Sequence, residues 1–368
     1  MAQIHETTLE IDLKALAHNY NYLSSKLSSA TKKLGVVKAF AYGSDSVEIA
    51  KKLEELEIDF FAVAYTQEGI TLRKGGIRKP ILVLHPQSTN FDEIIQHCLT
   101  PSIYSKFVLE HFIASAEAHK QNHYPIHLKL NTGLNRLGFD PDEVNYILQQ
   151  LKNTSSVKVE GIFSHLAASE DPNEKDFTHY QIETYKKVSE EIIEALNYKP
   201  IRHLCNTSGI INYPEAHFEM VRTGIGLYGF GNSAEEDKKL IPVASLKTIV
   251  SQIHHLKKGE TVGYNRKFKA EKDTKTATLP LGHADGINRI YGMQKTNVEV
   301  NGKLAPIIGN VCMDMLMIDI TGIDCKEGDE VILFGKEKSA ENFANNAGTI
   351  SYELITSISQ RVKRKFIY

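Results

Sequence analysis

A lysine follows one of the most apolar short runs of this 368-residue chain. Lys38 comes directly after Leu34–Val37, with Tyr42 four residues further on and Gly43 next to it. An ammonium group costs several kcal/mol to bury without a partner. A desolvated lysine loses its proton more easily, however, and becomes a nucleophile that forms a Schiff base with an aldehyde. The alternative interpretation is a lysine whose stem extends from a strand end to water.

Other polar side chains follow other strand-like runs. They are Lys129, Asn131, Arg136, Ser164, His165, Asn206, Thr207, Ser208 and Arg222. Any one of them, such as His165, could be a satisfied core residue. Thr207 and Ser208 offer hydroxyl groups, and Gly224–Gly226 offers backbone N–H groups, which together suit a phosphate. With a reactive lysine, this set predicts a phosphorylated aldehyde cofactor.

Alternating β-rich and helical patterns up to about residue 230 explain how these groups meet. The strand-like runs are Leu34–Ala39, Phe60–Ala64, Pro80–Leu84, Pro101–Tyr104, Ile126–Asn131, Val157–His165, Arg202–Asn206 and Phe218–Arg222. Helical patterns such as Ser46–Glu57 and Asp176–Asn197 separate them. This alternation predicts a (β/α)₈ TIM-type barrel, whose active site lies at the C-terminal ends of the strands.

The pattern changes after about residue 237. Val298–Lys303 places an Asn-Gly pair between alternating residues, which predicts a hairpin. Further strand-like runs follow, with one helix predicted near Ser339–Asn345. We therefore predict an α/β fold: a barrel at residues 10–236, then a mostly antiparallel β domain at residues 237–368. An N-terminal strand, residues 1–9, is expected to join the later domain.

The composition argues against several kinds of partner and site. A formal net charge of −2 gives no electrostatic case for a nucleic-acid partner. No apolar run approaches the roughly 20 residues needed to span a bilayer, so no membrane partner is expected. The first residues lack the apolar stretch of a signal peptide. The cysteines show no metal-ligand spacing, so we expect no metal site and a cytoplasmic protein with reduced thiols.

The sequence resembles the alanine racemases, which depend on pyridoxal 5'-phosphate (PLP), over nearly its whole length. The motifs are VVKAFAYG at 36–43, HLKLNTGLNRLGF at 127–139, GIFSH at 161–165, NTS at 206–208, MVRTGIGLYG at 220–229, VGYNR at 262–266, GHADG at 282–286, GNVCMD at 309–314 and TISYE at 349–353. Their order and spacing match the family.

The resemblance implies that Lys38 holds PLP as a Schiff base. The other residues implied to bind the cofactor are Tyr42, Arg136, His165, Asn206, Thr207, Arg222, Gly224, Ile225 and Tyr352. Arg222 would face the pyridine nitrogen, with His203 holding it in place. Because arginine stays protonated, it donates a hydrogen bond there without transferring a proton. The ring is then a weak electron sink, which suits racemisation better than transamination.

A racemase needs two acid–base groups on opposite faces of the cofactor. The resemblance implies Lys38 and the Tyr264 of a second subunit, and therefore a homodimer with shared active sites. Arg136, Met313 and Asp314 would contact the amino-acid substrate. His283 would lie near the substrate channel, and Arg289 or Arg266 would supply positive charge near Tyr264. Lys129 is predicted to carry a carbamate, formed with CO₂, that pairs with Arg136.

The predicted function is racemisation of L- and D-alanine, supplying D-alanine for peptidoglycan. The chain departs from the usual family pattern at Phe40, Ser44–Asp45, Asn131, Thr207 and His283. Thr207 keeps the hydroxyl group that would bind phosphate. The sequence does not predict how Phe40, Asn131 and His283 change the reaction rate or the access of substrate. The alternatives are a racemase of another small amino acid such as serine, a PLP decarboxylase of the same architecture, and a non-catalytic PLP carrier.

Overall fold

The first strand of the chain leads directly into its first helix. The structure is a computed structural model that describes residues 6–231 and 233–368. Strand β1 (Thr7–Asp12) is followed by helix α1 (Leu13–Ser24). The Asp12 carboxylate accepts hydrogen bonds at 2.9 Å from the backbone N–H groups of Lys14 and Ala15, which satisfies two donors at the helix start. The first five residues of the predicted strand 1–9 lie outside the described residues.

Eight parallel strands close into a barrel. They are β2 (Lys32–Val36), β3 (Phe60–Val63), β4 (Ile81–Val83), β5 (Thr100–Ile103), β6 (Tyr124–Lys129), β7 (Val157–Phe163), β8 (Ile201–His203) and β9 (Met220–Thr223). Strand β2 pairs with β9 in parallel register and so closes the ring. Side chains of β3, β4 and β5 are buried throughout, as expected for strands covered by helices outside. The predicted fold class is confirmed.

Helices and helical turns connect these strands, and one short helix follows the last of them. They are α2 (Lys38–Tyr42), α3 (Ser46–Glu55), α4 (Thr66–Lys74), α5 (Phe91–Gln96), α6 (Lys106–Ala118), α7 (Val144–Lys152), α8 (Lys175–Leu196), α9 (Thr207–Asn212) and α10 (Ala234–Asp237). The prediction of a first strand reaching Ala39 was wrong. Strand β2 ends at Val36, and Lys38 begins a separate turn with positive φ angles at Ala39–Tyr42.

The last third of the chain forms most of a second sheet and a separate pair of strands. Its strands are β10 (Ala244–Ile249), β11 (Gln252–Leu256), β12 (Thr261–Val262), β13 (Phe268–Lys269), β14 (Thr274–Leu279), β15 (Asn297–Val300), β16 (Lys303–Ile308), β17 (Leu316–Asp319), β18 (Glu330–Phe334) and β19 (Lys363–Ile367). The nine-stranded sheet has the order β11-β14-β17-β16-β15-β18-β10-β1-β19, and β12 pairs with β13 separately. Within the nine-stranded sheet only β1 and β19 are parallel neighbours. The division of the chain at residues 236 and 237 stays a prediction.

Two helices accompany this sheet, where the sequence predicted one. Helix α11 (Ala340–Asn345) is the predicted one, and α12 (Ser351–Ser357) is additional. Ile350 precedes α12 and provides no side-chain cap, so the usual sequence signal for a helix start is missing. The predicted hairpin forms between β15 and β16, with Asn301 (φ 49°) and Gly302 (φ 74°) in the turn.

The two halves meet beside the Lys38 turn. Arg364 of β19 donates hydrogen bonds to the carbonyl oxygen of Gly43 at 2.8 Å and to that of Ser44 at 3.2 Å. The ring centroids of Tyr42 and Tyr352 are 6.0 Å apart, so α12 reaches the barrel at this turn. In the described part of the chain, no helix has the length and apolar composition that crossing a bilayer requires.

Candidate active site

A cavity of about 630 Å³ opens at the C-terminal ends of the barrel strands. Predicted cofactor-binding residues from five strand ends and from α12 line it. They are Lys38, Tyr42, Arg136, His165, Asn206, Thr207, Arg222, Gly224, Ile225 and Tyr352, together with Lys129. The parallel strands bring these residues to one rim although they are separated by up to several hundred positions in the chain, as a closed barrel requires.

Lys38 lies at the start of a left-handed turn. Ala39, Phe40, Ala41 and Tyr42 have φ angles of 53°, 56°, 50° and 52°, a conformation that costs about 1–2 kcal/mol for each residue with a Cβ atom. The Glu68 carboxylate holds this turn against the neighbouring strand end. Its Oε1 accepts from the backbone N–H of Ala39 and its Oε2 from that of Ala64, both at 2.7 Å. The turn therefore persists because its surroundings fix it.

The cavity is strongly cationic. Burial, and next the charge of Arg136, lower the pKa of Lys38, while Glu68 has the smaller opposite effect. Burial and the nearby Arg136, Arg222 and Lys38 lower the pKa of Lys129 to about 8. Among the described residues, neither lysine forms an ion pair with a carboxylate. Both amines are therefore biased towards the neutral form that acts as a nucleophile or base.

Arg222 lies at the cavity wall, and both of its terminal nitrogens form hydrogen bonds within the protein. These nitrogens donate to the carbonyl oxygens of His203 (2.9 Å), Ser164 (2.7 Å) and Leu204 (2.9 Å), and to Nδ1 of His203 (2.9 Å) and of His165 (3.1 Å). Burial lowers the pKa of Arg222 to about 10, so the guanidinium is still charged at neutral pH. Burial and this charge hold the pKa of His165 well below its usual value. The His165 ring is therefore neutral.

One side of the cavity is formed by hydroxyl and backbone groups around Gly224. A Cβ atom at Gly224 would lie 2.6 Å from the Tyr42 hydroxyl, so only glycine permits this contact. The backbone N–H of Gly226 donates to the Thr207 hydroxyl at 3.2 Å. Asn206 caps α9 by accepting from the backbone N–H of Gly209 at 2.9 Å. These hydroxyls and backbone groups provide the hydrogen-bonding surface that a phosphate needs.

The remaining predicted site residues lie on the second sheet domain, outside this cavity. They are Tyr264, His283, Arg289, Met313 and Asp314. Tyr264 is 73% exposed and Met313 is 60% exposed. The Asp314 carboxylate accepts a hydrogen bond from Arg361 at 2.7 Å.

These surface residues nevertheless lie close to one another. The backbone N–H of His283 donates to the carbonyl oxygen of Cys312 at 2.9 Å, and that of Ala284 donates to the carbonyl oxygen of Met313 at 3.0 Å. The Asn310 side chain donates to the carbonyl oxygen of Tyr264 at 3.1 Å. A single chain thus presents two groups of predicted residues, one in the cavity and one on a separate surface.

Comparisons with known proteins match nearly the whole chain to one family. Residues 11–231 match the family model "Alanine racemase, N-terminal domain", and residues 243–366 match "Alanine racemase, C-terminal domain". The chain is similar to alanine racemase 1 of Clostridium acetobutylicum, with 39% identity over 97% of this chain and 94% of the relative.

The chain belongs to the alanine racemase family.

Solved structures support this assignment. The structure of alanine racemase from Clostridium difficile 630 has a TM-score of 0.93 and 35% identity, and covers 99% of this chain and 96% of its own. Alanine racemase from Bartonella henselae, described with covalently bound pyridoxal phosphate, has a TM-score of 0.89 and 28% identity over 99% of this chain and all of its own. The alanine racemase family is PLP-dependent.

The cavity residues fit PLP. The Nε–H of Arg222 has no acceptor among the described residues, although both terminal nitrogens are engaged, which leaves a donor for a ring nitrogen. The glycine at 224 leaves room beside the Tyr42 hydroxyl. Positive charge from Lys38, Arg136 and Arg222 suits an anionic cofactor.

Motifs of the alanine racemase family did not reveal every residue of the cavity. Tyr65, Leu84 and His85 also line it, and the rings of Tyr65 and His85 lie 5.9 Å apart. Glu68, which holds the Lys38 turn, was also missed. A signal existed: Glu68 is the third residue of α4, where a glutamate commonly reaches back to the residues before the helix. Its second hydrogen bond, to the Lys38 turn, had no sequence signal.

Proposed function

We propose that this protein interconverts L-alanine and D-alanine with PLP, and that two subunits share each active site. The observation that carries the proposal is the position of Lys38, half-buried in a cationic cavity beside a wall suited to phosphate. PLP, when bound, withdraws electrons from the substrate and so makes the hydrogen on its α-carbon acidic.

The residues of the barrel hold the cofactor and move one proton. Lys38 removes a proton from the α-carbon, or returns one to it, on one face of the substrate. Arg222 would donate a hydrogen bond to the pyridine nitrogen of bound PLP and keep its own proton. Tyr42, Thr207, Gly224, Ile225 and Tyr352 hold the phosphate, with Asn206 supporting Thr207. With PLP bound, His165 would lie against the ring and Arg136 would donate to the phenolic oxygen.

Tyr264 of the second subunit serves the opposite face. Its exposure within one chain leaves its hydroxyl available to a partner. Met313 and Asp314 lie on the same domain, so the subunit that supplies Tyr264 also supplies contacts to the substrate carboxylate. His283 lines the approach to the site, and Arg289 adds positive charge there. This arrangement requires a homodimer.

A substrate panel tests the activity. The purified protein with added PLP is assayed with both enantiomers of alanine and of serine, and α-hydrogen exchange is followed in D₂O. We expect fast racemisation of alanine and slower reaction of serine. Faster reaction of serine would favour the serine racemase, release of CO₂ would favour a decarboxylase, and absence of exchange would indicate a PLP carrier.

Mixing two inactive variants tests the shared site. Lys38→Ala and Tyr264→Phe are each expected to be nearly inactive as homodimers. If each site combines Lys38 of one subunit with Tyr264 of the other, random mixing restores one complete site in each heterodimer. About a quarter of the wild-type activity should then return. No recovery after proven subunit exchange would show that both residues act within one chain, or that Tyr264 is not the second base.

We further propose that the product is D-alanine for peptidoglycan, made in the cytoplasm. Family resemblance supports this proposal. The chain should restore growth without added D-alanine to a bacterial strain that lacks alanine racemase, whereas the Lys38→Ala variant should not. Growth supported equally by that variant would contradict the proposal.

A further inference from the structure

Two buried histidines extend the hydrogen-bonded chain behind Arg222. His203 Nδ1 lies 2.9 Å from Nη1 of Arg222, and His203 Nε2 lies 3.0 Å from Nδ1 of His127. Nε2 of His127 lies 3.6 Å from a carboxylate oxygen of Glu160. Both histidines are fully buried and neither lines the cavity, while the Glu160 side chain is 38% exposed. The hydrogen-bonded chain therefore runs from the cavity wall through the barrel interior to His127, whose Nε2 forms no hydrogen bond with the described residues and faces a solvent-accessible carboxylate.

One arrangement of hydrogens lets every hydrogen bond in this chain pair a donor with an acceptor. Arginine only donates, so Nδ1 of His203 accepts and carries no hydrogen. A neutral His203 then has its hydrogen on Nε2, which donates to Nδ1 of His127. That nitrogen is therefore an acceptor as well, and the hydrogen of His127 lies on Nε2, facing Glu160. Burial and the charge of Arg222 lower the pKa of His203 well below its usual value, which agrees with a neutral ring.

A positively charged His127 would break this arrangement. Both of its nitrogens would donate, so His203 would have to accept at Nε2 and carry its hydrogen on Nδ1. That hydrogen would face the N–H group of Arg222. The acceptor role of His203 thus depends on His127 having a hydrogen at Nε2 and none at Nδ1, and a carboxylate beside Nε2 favours this tautomer.

The packing holds both rings in place. A Cβ atom at Gly161 would lie 2.6 Å from the His127 ring, so the glycine after Glu160 makes the space that this ring fills. The His203 ring stacks on Phe163 with centroids 4.8 Å apart and an interplanar angle of 7°. The backbone N–H of His203 donates to the Tyr185 hydroxyl at 3.0 Å. The rings cannot turn over without disturbing these contacts.

We propose that Glu160 and His127 are positioning residues that act on Arg222 through His203. Glu160 selects the tautomer of His127, His127 selects that of His203, and His203 then accepts from Arg222 and fixes the guanidinium. Arg222 forms no ion pair with any carboxylate in residues 6–231 and 233–368. The negative charge that faces this buried cation along the chain is therefore that of Glu160. The functional consequence, though not the tautomer assignment, rests on the role of Arg222 proposed above.

Nitrogen NMR of the histidine rings tests the tautomers directly. The holoenzyme is labelled with ¹⁵N-histidine, and two-bond correlations between ring nitrogens and ring protons show which nitrogen carries hydrogen. Signals are assigned with His127→Phe and His203→Gln. We expect the hydrogen on Nε2 in both His127 and His203. A hydrogen on Nδ1 of either ring would overturn the proposal, even in a fully active racemase.

Variants at Glu160 test the consequence. Glu160→Gln keeps a side-chain oxygen of the same reach near Nε2 of His127, so the tautomers should stay and alanine turnover should fall less than about twofold. Glu160→Ala removes the carboxylate that favours a hydrogen on Nε2 of His127, so this hydrogen should shift partly to Nδ1 and kcat should fall about fivefold. His127→Phe should lower kcat about tenfold. KM for alanine should change little in all three, because none of these residues lines the cavity.

Two controls separate positioning from general damage. Glu48→Ala removes a carboxylate of similar exposure, whose one ion pair among the described residues is with Lys51. His217→Gln replaces another buried histidine, bonded to the Ile210 carbonyl oxygen. Neither should change the His127 and His203 signals. If Glu160→Ala left both signals and kcat unchanged, the proposal would be wrong. If the wild-type protein failed to racemise alanine but showed the expected tautomers, only the proposed function would fall.

Discussion

The barrel cavity and the surface around Tyr264 both contain proposed catalytic residues, but the fold treats them differently. Lys38 is half-buried, whereas Tyr264 is 73% exposed. Both lie in turns with left-handed backbone, since Asn265 and Arg266 after Tyr264 have φ angles of 58° and 52°. The barrel brings its residues to one rim within a single chain. In the homodimer proposed above, the Tyr264 surface meets the cavity of a second chain.

The two turns also differ in how they are held. The Glu68 carboxylate accepts at 2.7 Å from the Lys38 turn and from the neighbouring strand end. The Tyr264 turn is held by the Asn310 amide at 3.1 Å and by a hydrogen bond from Arg266 to Thr261 at 3.2 Å. An exposed turn that no bridging carboxylate holds loses less order when one side chain is changed. We therefore expect substitutions at the Tyr264 turn to lower activity with less loss of stability than substitutions at the Lys38 turn.

The largest expected effect is that of Lys38→Ala. Removing the amine should lower alanine racemisation by at least about a thousandfold and abolish the visible absorption of bound PLP. Racemisation assays and absorption spectra with added PLP measure both. Lys51→Ala, which removes an exposed lysine paired with Glu48, is the control and should leave both unchanged. Racemase activity retained in Lys38→Ala would contradict the cavity as the catalytic centre.

Tyr264→Phe should come next. Loss of an acid–base group lowers turnover by about a hundredfold to a thousandfold, while thermal stability should hold because the hydroxyl is exposed. Tyr65→Phe is the matched control, since Tyr65 is 56% exposed and lines the cavity of its own chain. If Tyr65→Phe lost more activity than Tyr264→Phe, the second base would belong to the same subunit and the contrast between the two surfaces would fail.

Gly43→Ala should destabilise the contact between the Lys38 turn and α12. Gly43 has a φ of 82°, and a Cβ atom there would lie 1.9 Å from the Ile355 carbonyl oxygen. The expected loss is about 2–4 kcal/mol of unfolding free energy, measured by urea denaturation. Gly76→Ala has a similar φ of 93° with nothing near its Cβ atom, and should lose only about 1 kcal/mol. Equal losses would show that the contact with α12 contributes nothing.

The smallest expected effect is the pH dependence of the carbamate proposed at Lys129. The neutral amine attacks CO₂, an N–C bond forms and the nitrogen releases a proton. Because the pKa of Lys129 is lowered to about 8, the neutral fraction rises about tenfold between about pH 7 and about pH 9. With ¹³CO₂ at fixed pressure, the ¹³C carbamate signal should rise in the same range and be absent from Lys129→Arg. A signal independent of pH would contradict this proposal.

The sequence predicted the eight barrel strands because a parallel sheet buried on both faces requires continuous apolar runs, which are visible without any tertiary information. The predicted end of the first strand was wrong because the residues after Lys38 form a left-handed turn, which residues with a Cβ atom rarely do. Helix α12 was missed because no side chain caps its start. Glu68 was missed because its contact with the turn joins residues 29 positions apart.

By itself, the sequence determined which chemical groups are present and, through apolar periodicity, the order of strands that carries most of them to one rim. Only the tertiary structure decided their charge states and partners. The cationic surroundings of Lys129, the neutral His165 and the chain from Arg222 to Glu160 depend on burial and on distances between residues far apart in sequence. Hydrogen bonds and charges act over a few ångströms of space, and only the folded chain sets those distances.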